Sequence, residues 1–214
     1  MTKIFIIGLC LIIVSVLTGC NTQTPPPTAS YFGYDNGTLS YNGTIEVNNM
    51  FVTEDLYEDL RFPASIIKLK GVTNIPEETK FSYAFDADDA EELFITAQTS
   101  HSRENGSDMF GHFHWSTKDD SAGDVVWCMS YQWANINEDF EAFETKCVVD
   151  SSVNNQFTHL MSPQIFLNGT GKEYSSILNA KIFRNATDSR DTYNNDAYLY
   201  EFDIHYKINK LGDW

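Results

Sequence analysis

The chain has 214 residues, with 30 acidic against 14 basic side chains and a formal net charge of −16. Nucleic-acid binding draws on counterion release by Lys and Arg, which are scarce here, so no nucleic-acid partner is expected. No Asp-x-Asp-x-Asp-Gly calcium loop occurs; the acidic excess reads as solubility, with Asp88-Asp89 and Asp119-Asp120 in solvated turns.

Residues 1–19 read as an address. Lys3 supplies positive charge, 4–16 is almost wholly apolar, and Leu17-Thr18-Gly19 leads to Cys20. This is the layout of a secretory signal peptide, and its apolar run is shorter than the roughly 20 residues a membrane-spanning helix needs. The Leu-x-Gly-Cys ending resembles the lipobox of bacterial lipoproteins, which implies that Cys20 is acylated and becomes the first mature residue. Asn21, rather than aspartate, implies the outer membrane by resemblance to Gram-negative sorting rules. Residues 20–30 hold the lipidated cysteine and a polar, proline-rich run with the character of an extended tether. A single folded domain is expected over 31–214.

Within that domain apolar and polar residues alternate with period two at 44–52, 65–70, 80–85, 92–99, 109–116, 125–133, 143–149, 164–167, 176–183 and 196–210. In the last run Tyr198, Tyr200, Phe202, Ile204, Tyr206 and Ile208 share one face, while Glu201, Asp203, His205, Lys207 and Asn209 share the other. Asn-Gly pairs at 36–37, 42–43, 105–106 and 168–169 supply turn chemistry. Thr53 as a cap, Glu54 and Asp55, the Leu56/Leu60 spacing and Phe62-Pro63 predict one short helix. The fold class expected is all-β, an antiparallel β-sandwich or jelly roll with one short helix.

Cys10 falls in the signal and Cys20 carries lipid, leaving Cys128 and Cys147 in a compartment where disulfides persist. A hairpin centred between Asn137 and Glu138 sets these two opposite each other, close enough to bridge. The odd positions Trp115, Trp127, Tyr131 and Trp133 read first as core, with an aromatic binding platform as the alternative that burial would distinguish.

The densest polar stretch is 100–108, followed by His112-Phe113-His114-Trp115. On a strand His112 and His114 point the same way, their Cβ atoms roughly 6.5 to 7 Å apart. Both could ligate one metal, with His101, His205 or a carboxylate completing the set. Gly106, His112-x-His114 and Asp119 resemble the first half of the cupin metal motif, although the second half is missing and the acid is aspartate. The other reading of the pair is structural, through hydrogen bonds to loops. His205, between Asp203 and Lys207, reads as a solvent-facing ion pair. No Gly-x-Ser-x-Gly elbow occurs, and no acid is spaced to orient His101 toward a serine, so a hydrolase is not expected.

Glu58-Asp59-Leu60-Arg61-Phe62-Pro63-Ala64, His101-Ser102 with Gly106-Ser107-Asp108, His112-x-His114-Trp115, Trp127 through Asn135, and Tyr198-Leu199-x-Glu201-Phe202-Asp203-Ile204-His205-Tyr206 together resemble a family of β proteins encoded in tailed-phage and prophage genomes. The likeness runs over 57–212, with Ser100 and Asn105 where that family carries proline and an acid. It implies a virion or phage-associated structural and attachment module with no established enzymatic activity. The lipobox and tether depart from that pattern. The expectation is therefore a non-enzymatic lipoprotein of the cell envelope, membrane-bound through its lipid and without a cofactor. It presents a phage-related domain that blocks receptors or binds a glycan, an envelope protein or a phage component. A virion component and a cupin-like metalloprotein using His112, His114 and His101 are the alternatives.

Overall fold

The computed structural model describes residues 32–35, 38–41, 55–67 and 74–209. The signal, Cys20, the 20–30 tether, the strand expected at 44–52, and Thr53 and Glu54 of the expected helix lie outside the described residues. The chain divides into two compact units, Met1–Met50 and Phe51–Trp214. In the first, β1 (Phe32–Asp35) pairs antiparallel with β2 (Thr38–Tyr41), and Asp35 opposite Thr38 flanks the Asn36-Gly37 pair.

The second unit is a β-sandwich. Its strands are β3 (Leu56–Pro63), β4 (Glu77–Glu78), β5 (Tyr83–Phe85), β6 (Glu92–Gln98), β7 (Met109–Thr117), β8 (Asp124–Ala134), β9 (Glu144–Ser151), β10 (Leu160–Met161), β11 (Ile165–Leu167), β12 (Ile177–Arg184) and β13 (Ala197–Ile208). One antiparallel sheet is built around β7 and β13: β10 and β11 pair with the far side of β7, while β5 and β3 pair in succession along the far side of β13. The other runs β6-β12-β8-β9, also antiparallel.

The expected helix is not there. Residues 56–63 form β3, paired along its whole length with β13, Leu60 opposite Ile204 and Phe62 opposite Phe202. A spacing of four puts Leu56 and Leu60 on one side of a strand as well as of a helix, and the open edge of β13 supplies a partner that local propensity cannot outweigh. Helical geometry is confined, among the described residues, to a single 3-10 turn, Ala64–Ile66, where a strand was expected to begin. The strand expected from residue 80 starts only at Tyr83, because Thr79 and Ser82 close a turn through their backbone and hydroxyl groups.

The inward residues of the two sheets meet in an aromatic core. Trp115, Trp127 and Trp133 are at most 1% exposed and Tyr131 is 6% exposed, which assigns this set to packing and removes the binding-platform alternative. Phe113 stacks on Trp127 at 4.9 Å and 14°, and Phe85 meets the same indole edge-on at 5.4 Å. Gly111 leaves room for Phe202, since a Cβ there would sit 2.7 Å from that ring. Across β8 and β9 Cys128 faces Cys147, and the two form a disulfide with Cα atoms 4.1 Å apart.

Two buried arginines hold the loops. Arg184 makes a two-pronged ion pair with Asp191 and donates to the carbonyls of Asn195, Tyr193 and Phe85. Arg103 donates to the carbonyls of Lys172 and Ser107 and lies over the Trp133 ring. The polar stretch 100–108 is thus a loop clamp: Asp108 accepts from the Gly169 amide and Asn105 from the Tyr174 amide.

Candidate functional site

Alternation along β7 turns Met109, Phe113 and Trp115 into the core and leaves His112, His114 and Ser116 on the outer face. On β13 the pairing slips between Leu199 and Glu201. This bulge changes which positions face out. Before it Ala197 and Leu199 are buried and Tyr198 faces out opposite Ser116; after it Phe202, Ile204 and Tyr206 are buried and Glu201, Asp203 and His205 face out. The expected continuous face from Tyr198 to Ile208 is therefore split. Tyr198 and Tyr200 join the charged residues on the outer side, where Tyr200 and Ser116 hydroxyls share a hydrogen bond of 2.9 Å.

β3 completes the face. Its register sets Asp59 opposite His205 and Arg61 opposite Asp203. Three neighbouring strands thus present His112 and His114, then Glu201, Asp203 and His205, then Asp59 and Arg61. His159, just before β10, reaches the same place. Four of the chain's five histidines are gathered here.

Asp203 is the hub. It is 6% exposed, and its Oδ2 accepts from His114 Nε2 at 3.1 Å and lies 3.4 Å from His205 Nε2. Burial pushes this carboxyl up, but the His114 hydrogen bond and the charges of His114, His205 and His112 outweigh it and leave it below its ordinary value. The same hydrogen bond raises the His114 imidazole above 6.5 against the opposing effect of burial. The other ring nitrogen of His114 is 2.8 Å from His159 Nε2. His205 Nε2 is also 3.3 Å from Asp59 Oδ1, so it does pair with carboxylates as expected, though half-buried rather than fully in solvent. Arg61 and Glu201 form a two-pronged pair at 2.5 and 2.7 Å.

His112 is 3% exposed. Its Nδ1 is 3.1 Å from the Ser162 carbonyl, which can only accept, so Nδ1 donates to it. That Nε2 has no hydrogen-bond partner among the described residues, and neither does Asp203 Oδ1.

The donor set differs from the one expected. His112 and His114 share a face, yet the ligating atoms that come within 4.8 Å of one another belong to Asp59, Asp203 and His205. His101 is engaged elsewhere, 2.6 Å from Ser175 Oγ and packed on Tyr174. Asp119 does not stand in for a cupin acid: it accepts from the Ser121 amide, the Tyr193 hydroxyl and the Asn195 amide, and the Ser121 and Tyr193 hydrogen bonds with the nearby Lys118 charge hold its carboxyl below the ordinary range. Sequence reasoning missed Asp59 and His159. The only signal for Asp59 was its membership of the 58–64 segment.

Beside the charged cluster lies a cleft of about 590 Å³ lined by Asp59, Arg61, His114, Phe157, Tyr200 and Asp203 among others. A second hollow shares Phe157 and Tyr200 with it and extends past Tyr198 to Phe81. Phe157 stacks on Tyr198 at 5.9 Å and 12°. It is 59% exposed with φ +56°, a backbone region that favours glycine, and Phe81 is 66% exposed.

No protein-family model matches the chain, and no curated protein matches it. Among solved structures, it is similar to latent PorU from Porphyromonas gingivalis (9% identity, TM-score 0.37), covering 74% of this chain and 13% of that one. It is similar also to TmCBM61 in complex with β-1,4-galactotriose, at 8% identity and TM-score 0.32 over 74% of this chain and 90% of that one. A chain of the infectious bursal disease virus Gx strain gives 12% identity and TM-score 0.36 over 86% and 37%.

Proposed function

We propose that the protein is an envelope-anchored binding module that acts without catalysis and holds a neutral glycan across the outer face of the β7-β13-β3 sheet. The observation that carries this reading is the pairing of aromatic rings with fixed polar groups in two adjoining hollows that share Phe157 and Tyr200. Phe157 and Phe81 offer apolar surface to solvent rather than to the core, and half-buried Tyr198 stacks on Phe157. Asp59, Glu201, Asp203, Arg61 and His114 stand beside them, held by their own hydrogen bonds. A sugar ring has the same division, with apolar C–H faces and hydroxyls at its rim. Carboxylates accept from hydroxyls and repel anions, and Arg61 is committed to Glu201, so an uncharged saccharide suits the cleft better than a sulfated or uronic one.

Anchoring follows from Cys20: lipid on that residue and a proline-rich tether would place the sandwich at the outer-membrane surface, where a glycan, an envelope protein or an attaching phage is within reach. The test of ligand class is binding of the full chain, in detergent, to an array of neutral and acidic oligosaccharides, repeated with Phe157→Ala. Binding confined to neutral sugars and lost in the variant is expected; binding that survives the variant, or no binding, overturns the reading. For anchoring, Cys20→Ser should leave the protein unprocessed or out of the membrane fraction, and unchanged membrane partition would sink the lipoprotein assignment.

A further inference from the structure

We infer that Asp59, Asp203 and His205 form a binding site for one divalent transition-metal ion. Three donor atoms, one from each residue, lie within 4.8 Å of one another on adjacent strands. Two carboxylate oxygens and an imidazole nitrogen form the mixed oxygen and nitrogen set that suits zinc and its first-row neighbours, and three protein ligands leave positions for water. Regular pairing fixes two of the three side chains across from each other, Asp59 opposite His205, and places Asp203 two residues along the same strand on the same face. Strand geometry holds the three donors close together, with His205 Nε2 3.3 Å from Asp59 Oδ1 and 3.4 Å from Asp203 Oδ2.

Two further observations point to a ligand. Asp203 Oδ1 is buried on a 6% exposed residue and has no hydrogen-bond partner among the described residues. A buried oxygen in that state loses its hydration with nothing in return, and a cation restores the balance. His112, across the ladder from Asp203, has the same feature: its ring lies 4.5 Å from that of His205, and its Nε2 is buried and unpartnered while Nδ1 is tied to the Ser162 carbonyl. A backbone carbonyl on one ring nitrogen is the arrangement that orients metal-binding histidines and leaves the other nitrogen basic. The site is also reachable. The Asp59 side chain is 44% exposed and that of His205 30%, while Asp203 lies beneath them. The chain's net charge of −16 raises the local concentration of cations.

The site is separate from the cupin-like expectation, because His114 and His101 are not among its ligands. It shares Asp59 and Asp203 with the glycan cleft, but its test is separate, since metal uptake is measured with no sugar present. The full chain, untagged and in detergent, is stripped with chelator and titrated by calorimetry with zinc chloride, with metal content measured after dialysis. Calcium chloride serves as the comparison, since imidazole is a poor calcium ligand. One equivalent of zinc is expected. Affinity should fall by at least about tenfold in His205→Ala and in Asp59→Asn, both at partly exposed positions where folding is checked by an unchanged melting curve. Addition of cobalt(II) should give the visible absorption of a nitrogen and oxygen environment in the natural chain and not in His205→Ala. Substoichiometric zinc, calcium binding as tight as zinc, or uptake that the folded variants retain would overturn the assignment.

Discussion

Removing Arg184 should cost this domain more stability than opening its disulfide. Its side chain is 1% exposed and that of Asp191 2%. The guanidinium donates to both Asp191 oxygens, at 3.0 and 2.7 Å, and to three backbone carbonyls; Asp191 Oδ2 in addition accepts from the Val126 amide at 2.9 Å. In Arg184→Ala the carboxylate stays buried with its countercharge gone, and breaking such a pair costs about 3–5 kcal/mol. Against a total stability of about 5–15 kcal/mol this is a large share. At about 2–4 °C per kcal/mol for a domain of this size, the melting temperature should fall by about 6–20 °C. Circular dichroism melts of Arg184→Ala, Asp191→Ala and the double variant form a cycle. The double variant should be far less destabilised than the sum of the singles, because the second deletion removes a charge the first left stranded. A drop under about 2 °C in Arg184→Ala, or additive singles, would show that the network does not hold the 185–196 loop.

The Cys128–Cys147 bridge spans 19 positions, for which the chain-entropy relation gives roughly 3 kcal/mol; oxidised protein should titrate no thiol there, and reduction or Cys128→Ser with Cys147→Ser should lower the melting temperature by about 6–12 °C. Phe157 carries φ +56°, so Phe157→Gly should raise stability by about 1 kcal/mol while abolishing glycan binding; a destabilised variant would mean that the ring is a packing residue instead.

What was legible in the sequence was whatever depends on parity or on symmetric spacing. The HFHW run places His112 and His114 together because successive side chains alternate, and the disulfide follows from a hairpin whose two arms are the same length. The buried arginine could have been read in the same way, since Leu178, Ala180, Ile182 and Arg184 share one face of β12 and all are buried. Charge alone argued otherwise. Out of reach were features set by distant partners. Nothing near Leu56 announces that its segment will add to an edge formed by residues almost 150 positions later, so capping residues and a spacing of four read as a helix. His159 enters the cluster from an irregular stretch with no period, and Asp59 acquires its role only once β3 is paired.

The bulge at Tyr200 is the step that turns a half-buried strand into a site. Without it, even positions along β13 would all face the core, burying Tyr198 and Tyr200 beneath the sheet and leaving the histidines and carboxylates without those two rings beside them. One extra residue opposite His114 sends Tyr198, Tyr200 and Glu201 outward together, while Phe202 and Ile204 still fill the space over Phe113 and Gly111. The distortion is of the kind that re-aims side chains near binding sites. Core packing requires inward apolar residues on both sides of the slip, at Leu199 and at Phe202, so the register is fixed from within. One irregularity in one ladder therefore brings Tyr198 and Tyr200 to the outer face beside the charged residues.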